Sequence, residues 1–68
     1  MNVSKLKGKI VEHGSTQEAV AKELSMSRST FYRKLKNNGM DFTIGEVHKM
    51  VDAIPLTSEE AMDIFFTQ

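Results

Sequence analysis

The chain has 68 residues, 40% hydrophobic and 26% charged, with nine basic and nine acidic side chains and no cysteine. A chain this short forms one domain with a thin core, burying about 60% of its unfolded surface; without cysteine it has neither a disulfide staple nor a thiolate metal site, and the fold rests on packing. No apolar run approaches the roughly 18 residues of a membrane span, and the first residues lack the apolar stretch of a secretory signal, so a soluble intracellular chain is expected.

Val3, Leu6 and Ile10 recur at helical spacing and Gly14 follows as a stop, which predicts a first helix over roughly residues 3 to 13. Gly8 inside it costs about 1 kcal/mol relative to alanine unless a close neighbour needs the room. Ser15, with Glu18 three residues on, reads as an N-cap and capping box for a second helix carrying Ala19, Val20 and Leu24 on one stripe. Ala21 falls where a following helix would cross, its methyl letting the second axis come close. Ser25 and Met26 form a turn too short to be a free linker. Ser27 then caps a third helix over about residues 27 to 37, with Phe31 and Leu35 four apart on its inner face.

Asn37, Asn38 and Gly39 end that helix, since Asn and Gly tolerate the left-handed conformation. Thr43 with Glu46 is a capping box ahead of Val47, Met50, Val51 and Ile54, and Pro55 stops this fourth helix. Thr57 with Glu60 opens a fifth, whose apolar side is Ala61, Ile64 and Phe65. The five methionines fall mostly on apolar stripes, where they would fill gaps in a core. With no strand pattern, repeat or low-complexity tract, the expected fold class is all-α, a compact five-helix domain over residues 1–68.

The zero net charge conceals a division. Residues 1–39 hold Lys5, Lys7, Lys9, Lys22, Arg28, Arg33, Lys34 and Lys36 against Glu12, Glu18 and Glu23, a balance of plus five. Residues 40–68 hold Lys49 alone against Asp41, Glu46, Asp52, Glu59, Glu60 and Asp63, a balance of minus five. Such a dipole orients a molecule on a polyanion with its amino-terminal half inward. Lys5 and Lys9 share a helix face while Lys7 is turned away, so at most two of the three approach one backbone strand together, and a solvated surface is their expected state.

Residues 16–37 combine an amphipathic helix, a serine-bearing break and a second helix with a basic outward face, an arrangement by which many proteins enter a DNA groove. With Phe31 and Leu35 inward, Ser29, Arg33, Lys36 and Asn37 point away from the core, while Arg28 and Tyr32 flank it. Here the chain resembles the lambda-repressor and Cro-type helix-turn-helix regulators of bacteriophages, specifically the small single-domain ones. Gln17 matches the glutamine opening the first motif helix, Ala21 the small crossing residue, and Val20, Leu24, Met26 and Phe31 the core positions. Ser25 stands where the family usually has glycine, at a cost of about 1 to 2 kcal/mol if left-handed, so a slightly remodelled turn is expected. Lys34 stands where an apolar residue is usual, with Leu35 one step later.

The resemblance implies a sequence-specific double-stranded DNA-binding transcriptional regulator, a Cro-like repressor of the bacterial cytoplasm and nucleoid that inserts its third helix in the major groove. Arg28, Ser29, Tyr32 and Arg33 would read base edges, an arginine on guanine being worth about 1 to 3 kcal/mol of discrimination. Gln17, Ser27, Thr30, Lys36 and Asn38 would hold phosphates. The last helix of such proteins commonly forms a symmetric dimer on a palindromic operator, and Ile64, Phe65 and Phe66 are the candidate contact, with Phe66 the ring left uncovered. The alternative is an antirepressor or modulator of the same fold that binds another regulator protein through the acidic, Phe-ended half.

Other chemistry is weakly signalled. His13 and His48 are isolated, with no second histidine or cysteine at ligand spacing, so no metal and no cofactor is expected. The serines near Arg28 have no adjacent histidine or carboxylate, no glycine-rich phosphate loop exists, and the chain offers little room for a cleft, so an enzyme is not expected.

Overall fold

The computed structural model describes residues 1–66, and the expected domain runs two residues past them. Over these residues the chain forms α1 (Val3–Glu12), α2 (Gln17–Glu23), α3 (Arg28–Lys36), α4 (Ile44–Ala53) and α5 (Ser58–Phe65), with no strand. Each helix starts at a side chain that accepts a backbone N–H three residues on: Asn2 from Lys5, Thr16 from Ala19, Ser27 from Thr30, Thr43 from Glu46 and Thr57 from Glu60. The boxes at Thr43 and Thr57 are complete, because the Glu46 and Glu60 carboxylates also accept the cap residues' own N–H groups at 2.9 Å. The expected box at Ser15 is corrected by one residue. Ser15 N–H donates to Ile10 C=O and so belongs to the end of α1; Thr16 is the cap, and Glu18 falls one place short of the box position.

Helices α1, α2 and α3 end alike. The residue after each C-cap is left-handed, Gly14 at φ 71°, Ser25 at 59° and Asn38 at 60°, and two reverse hydrogen bonds close each end. After α2 these run from Ser25 N–H to Lys22 C=O and from Met26 N–H to Ala21 C=O, both 3.0 Å. Ser25 thus adopts the glycine-type conformation with closing bonds of the same kind as those at Gly14, and four residues separate the last residue of α2 from the first of α3. The chain turns again after α3 at Gly39, where a Cβ would run into the Met1 side chain.

Among the described residues the core is wholly apolar: Leu6, Ile10, Val20, Ala21, Leu24, Phe31, Leu35, Met50, Ile54, Leu56 and Ile64 are buried, and no polar side chain joins them. Phe42, in the connection before α4, packs against Phe31 with ring centroids 5.7 Å apart. Ala19 is exposed rather than on the buried stripe of α2. Among the methionines only Met50 is fully buried; Met1 and Met26 are half-buried, and Met40 and Met62 are exposed, so gap-filling describes three of the five.

α2 packs against α1, α3 and α4, while α5 closes back on α1. That closure is fixed by Asn2 N–H donating to Ile64 C=O at 2.7 Å, by Lys5 bonding Asp63 at 2.9 Å, and by Lys9 pairing with Glu60. The Cα radius of gyration is 10.5 Å, close to the roughly 11 Å expected of one packed domain of this length. No helix among the described residues is long and apolar enough to cross a membrane.

Candidate functional site

α3 presents its outward face because its inward face is fully used. Phe31 and Leu35 are buried, and the Lys34 side chain is largely shielded, its ammonium lying between Glu46 and the Phe42 ring. The ammonium of Lys34 bonds the Glu46 carboxylate at 3.0 and 3.2 Å and lies 5.7 Å from the Phe42 centroid. A lysine at a half-buried position is thereby satisfied without leaving the α3–α4 contact. Glu46 is held below the usual carboxylate range, first by the Thr43 N–H and then by Lys34, against the opposing effect of burial.

Arg28, Ser29, Tyr32, Arg33 and Lys36 are all exposed, and none engages an ion pair or side-chain hydrogen bond among the described residues. At 100° per residue they cover about 140° of one continuous arc. The arc thus joins the four expected base-reading residues to one of the expected phosphate residues.

The other expected phosphate residues sit apart from it. Ser27 Oγ accepts the Thr30 N–H at 3.1 Å and donates to Thr30 Oγ1 at 2.9 Å, so both hydroxyls serve the start of α3, with Thr30 half-buried. Asn38 is exposed at the far end of α3 in its left-handed turn, and Gln17 is half-buried at the start of α2.

Gln17 lies in an open groove of about 880 Å³ between α1, α2 and α3. Lys7, Lys22, Arg28 and Tyr32 line the same groove. Arg28 and Tyr32 therefore belong both to the groove and to the outward arc of α3. No sequence pattern links Lys7 to Lys22, which are fifteen residues apart on different helices; their only sequence signals are the basic balance of residues 1–39 and, for Lys7, a position turned away from Lys5 and Lys9.

Lys5 and Lys9 are neither free nor simply solvated. Both are tied to α5, and the Lys9 bond to Glu60, with the Thr57 N–H second, lowers the Glu60 pKa to about 2, while the same bond raises Lys9. Lys5, Lys9 and Lys34 are thus all matched by carboxylates of residues 40–66. Among the described residues, the cations left without an ion pair on α1 to α3 are Lys7, Lys22, Arg28, Arg33 and Lys36, with Glu18 and Glu23 the unmatched acids on those helices.

The family described as "protein of unknown function (DUF739)" matches residues 1–68. The chain belongs to that family. No curated protein and no solved structure matches it. The DUF739 description names no activity, so the chemistry of this member rests on its own residues. Among those described, no group of three histidine, aspartate or glutamate side chains is placed to hold a metal ion.

A second surface of this DUF739 chain is apolar. Met40 is 77% exposed, Ile44 88% and Phe66 69%, and Phe66 and half-buried Phe65 line a small cleft of about 230 Å³ with Met40, Ile44 and Val47. Of the three expected contact residues, Ile64 is fully buried in the domain's own core and has nothing to offer a second copy; Phe65 and Phe66 remain.

Proposed function

We propose that the protein is a sequence-specific double-stranded DNA-binding transcriptional regulator, a repressor of the Cro-like, helix-turn-helix kind acting in the bacterial cytoplasm on the nucleoid. The observation that carries this reading is the arc of Arg28, Ser29, Tyr32, Arg33 and Lys36 on a helix docked on its opposite side by Phe31, Leu35 and Lys34. A B-DNA major groove about 12 Å wide admits one helix; α3, at about 1.5 Å per residue, is long enough to reach several base pairs. Arg28, Ser29 and Arg33 read base edges, Tyr32 meets a thymine methyl or a phosphate, and Lys36 supplies sequence-independent attraction.

The apolar surface of Met40, Ile44, Phe65 and Phe66 is assigned to a second copy of this chain. The largest extent of one copy is 27 Å, less than one DNA turn of about 34 to 36 Å, so a near-palindromic site needs two copies side by side to present two α3 helices one turn apart. Phe66 and Met40 carry no charge that a self-contact would set against itself.

Selection of bound duplexes from a random pool tests the reading, since its output shows a consensus, its symmetry and its half-site spacing together. Arg33→Ala is expected to reduce preference for the selected duplex over random DNA by about 1 to 3 kcal/mol, and Lys36→Ala to weaken both alike and flatten the salt dependence. Equal losses on both duplexes for Arg33→Ala remove it from the reading role. Recovery of no consensus, with only weak binding to every duplex, overturns the reading in favour of a modulator that captures another regulator through the acidic half.

A further inference from the structure

The groove between α1, α2 and α3 joins Arg28 of the α3 arc to two cations, Lys7 and Lys22, that neither the arc nor the internal ion pairs use. Lys7 comes from α1, Lys22 from α2 and Arg28 from α3, with Glu18 the one acid among the lining residues. The selection among the α1 lysines is made by α5. Lys5 and Lys9 face Asp63 and Glu60 and are neutralised across the α1–α5 contact, whereas Lys7, on the other side of the helix, is exposed with no ion pair among the described residues. One of three similar lysines is thus left to meet an anion, and it points into the groove shared with Lys22 and Arg28.

We infer that this groove seats the sugar-phosphate backbone of one strand of the duplex whose bases face α3, with Lys7 and Lys22 as phosphate contacts. The inference rests on the DNA-binding reading above and extends the contact surface onto α1 and the outer side of α2. Its chemistry follows from the lining. A phosphodiester strand presents singly charged groups at regular spacing and needs separated point charges more than a closed cavity, and an open groove with lysines on two walls provides them. Arg28 and Tyr32 border both the groove and the arc, so a strand leaving the α3 face passes directly into the groove. A lysine contact of this kind carries no sequence information. Lys7 and Lys22 therefore act on affinity and its salt dependence, leaving the consensus to α3.

The experiment measures binding of the full chain to the selected duplex and to a random duplex by fluorescence anisotropy from 50 to 200 mM salt, for the wild type, Lys7→Gln, Lys22→Gln and, as a control, Lys49→Gln. Each groove variant is expected to lower the steepness of log K against log salt by about 0.9, which makes its loss over this range about 3.5-fold smaller than that of the wild type. The loss at low salt should be equal on both duplexes, and Lys49→Gln should retain the wild-type slope. All three side chains are exposed, so unchanged thermal melting verifies the fold of each variant. A steep wild-type slope that Lys7→Gln and Lys22→Gln leave unaltered overturns the groove assignment while the DNA-binding reading stands. A groove variant that alters the duplex preference also overturns it, because a backbone contact does not do so. A wild type that binds no duplex overturns both.

Discussion

Lys34 is the side chain on which the placement of α3 against α4 is most directly tested. Its pair with Glu46 is about four-fifths shielded on both sides, the side chains being 17% and 21% exposed. Exposed pairs contribute about 0 to 1 kcal/mol and removal of one partner of a fully buried pair costs about 3 to 5. Lys34→Met keeps most of the aliphatic stem and removes the charge, leaving the Glu46 carboxylate with the Thr43 N–H; discounted for residual solvent, a loss of about 1 to 2 kcal/mol is expected. Lys34→Ala also removes the packed stem. At about 0.8 kcal/mol per buried methylene, and with the stem incompletely buried, this adds about 1.5 kcal/mol. Against a total stability of about 3 to 10 kcal/mol for a chain of this size, the alanine variant should be close to half unfolded at the lower end of that range.

Urea titrations followed by helical circular dichroism, completed to a double-mutant cycle with Glu46→Gln, separate these contributions. Glutamine still accepts the Thr43 N–H, so the coupling of about 1 kcal/mol expected at neutral pH reports the ion pair alone. The sign with pH is fixed by the lowered pKa of Glu46: the contribution is complete above its ordinary value of 4.5 and is lost as pH falls through the folded-state value. A coupling indistinguishable from zero at pH 7, or Lys34→Ala no worse than Lys34→Met, would refute this account of how α3 is held.

Gly8→Ala should raise stability by about 0.5 to 1 kcal/mol, because a Cβ at Gly8 meets nothing within 4 Å and the residue lies inside α1; a melting temperature that stays level or falls counts against it. Acid should weaken the α1–α5 closure as pH drops from 4.5 toward about 2, the folded-state value of Glu60, since a lowered carboxylate pKa stabilises only above that window. Glu60→Gln should flatten the acid branch of the stability profile there, and an unchanged branch would contradict the Lys9 contact. Phe66→Ser should yield a monomer by analytical ultracentrifugation at concentrations where the wild type sediments as a dimer; a wild type that stays monomeric at high concentration and on the selected duplex removes the second copy from the proposal.

Much of the fold was legible because its signals are local. Two capping boxes, the Ser27 cap and the left-handed Asn38 are short-range features, and the periodic residues Leu6, Ile10, Phe31, Leu35, Met50 and Ile54 are all buried. Leu56 and Phe42 were invisible to the same reasoning. Each lies in a connection between helices, where no 3.6-residue period marks a buried side chain, yet Leu56 is buried and Phe42 packs on Phe31. Ser15 failed as a capping box because the closing bond of α1 takes the N–H that Glu18 would have accepted, and Thr16 supplies the cap. On the candidate site, the outward residues of α3 follow from Phe31 and Leu35 alone. The fate of the lysines does not, since whether Lys5, Lys7 or Lys9 is free depends on where α5 returns.

That return changes the meaning of the charge division along the chain. Read linearly, residues 1–39 are basic and residues 40–68 acidic, and folding brings Lys5, Lys9 and Lys34 into contact with three acids of the second half. This sharpens the basic surface, because the cations withdrawn are those on the α1–α5 and α3–α4 seams, whereas Lys7, Lys22, Arg28, Arg33 and Lys36 remain exposed on α1 to α3. The two sets also differ in how salt reaches them. A cation that contacts a phosphate releases a condensed counterion, so its contribution falls steeply with salt, whereas close, partly shielded pairs within the domain are screened much less. On the proposed DNA-binding reading, raising salt should therefore release the duplex from α1 to α3 well before it loosens the helices that present them, and binding and unfolding become separable along a single axis.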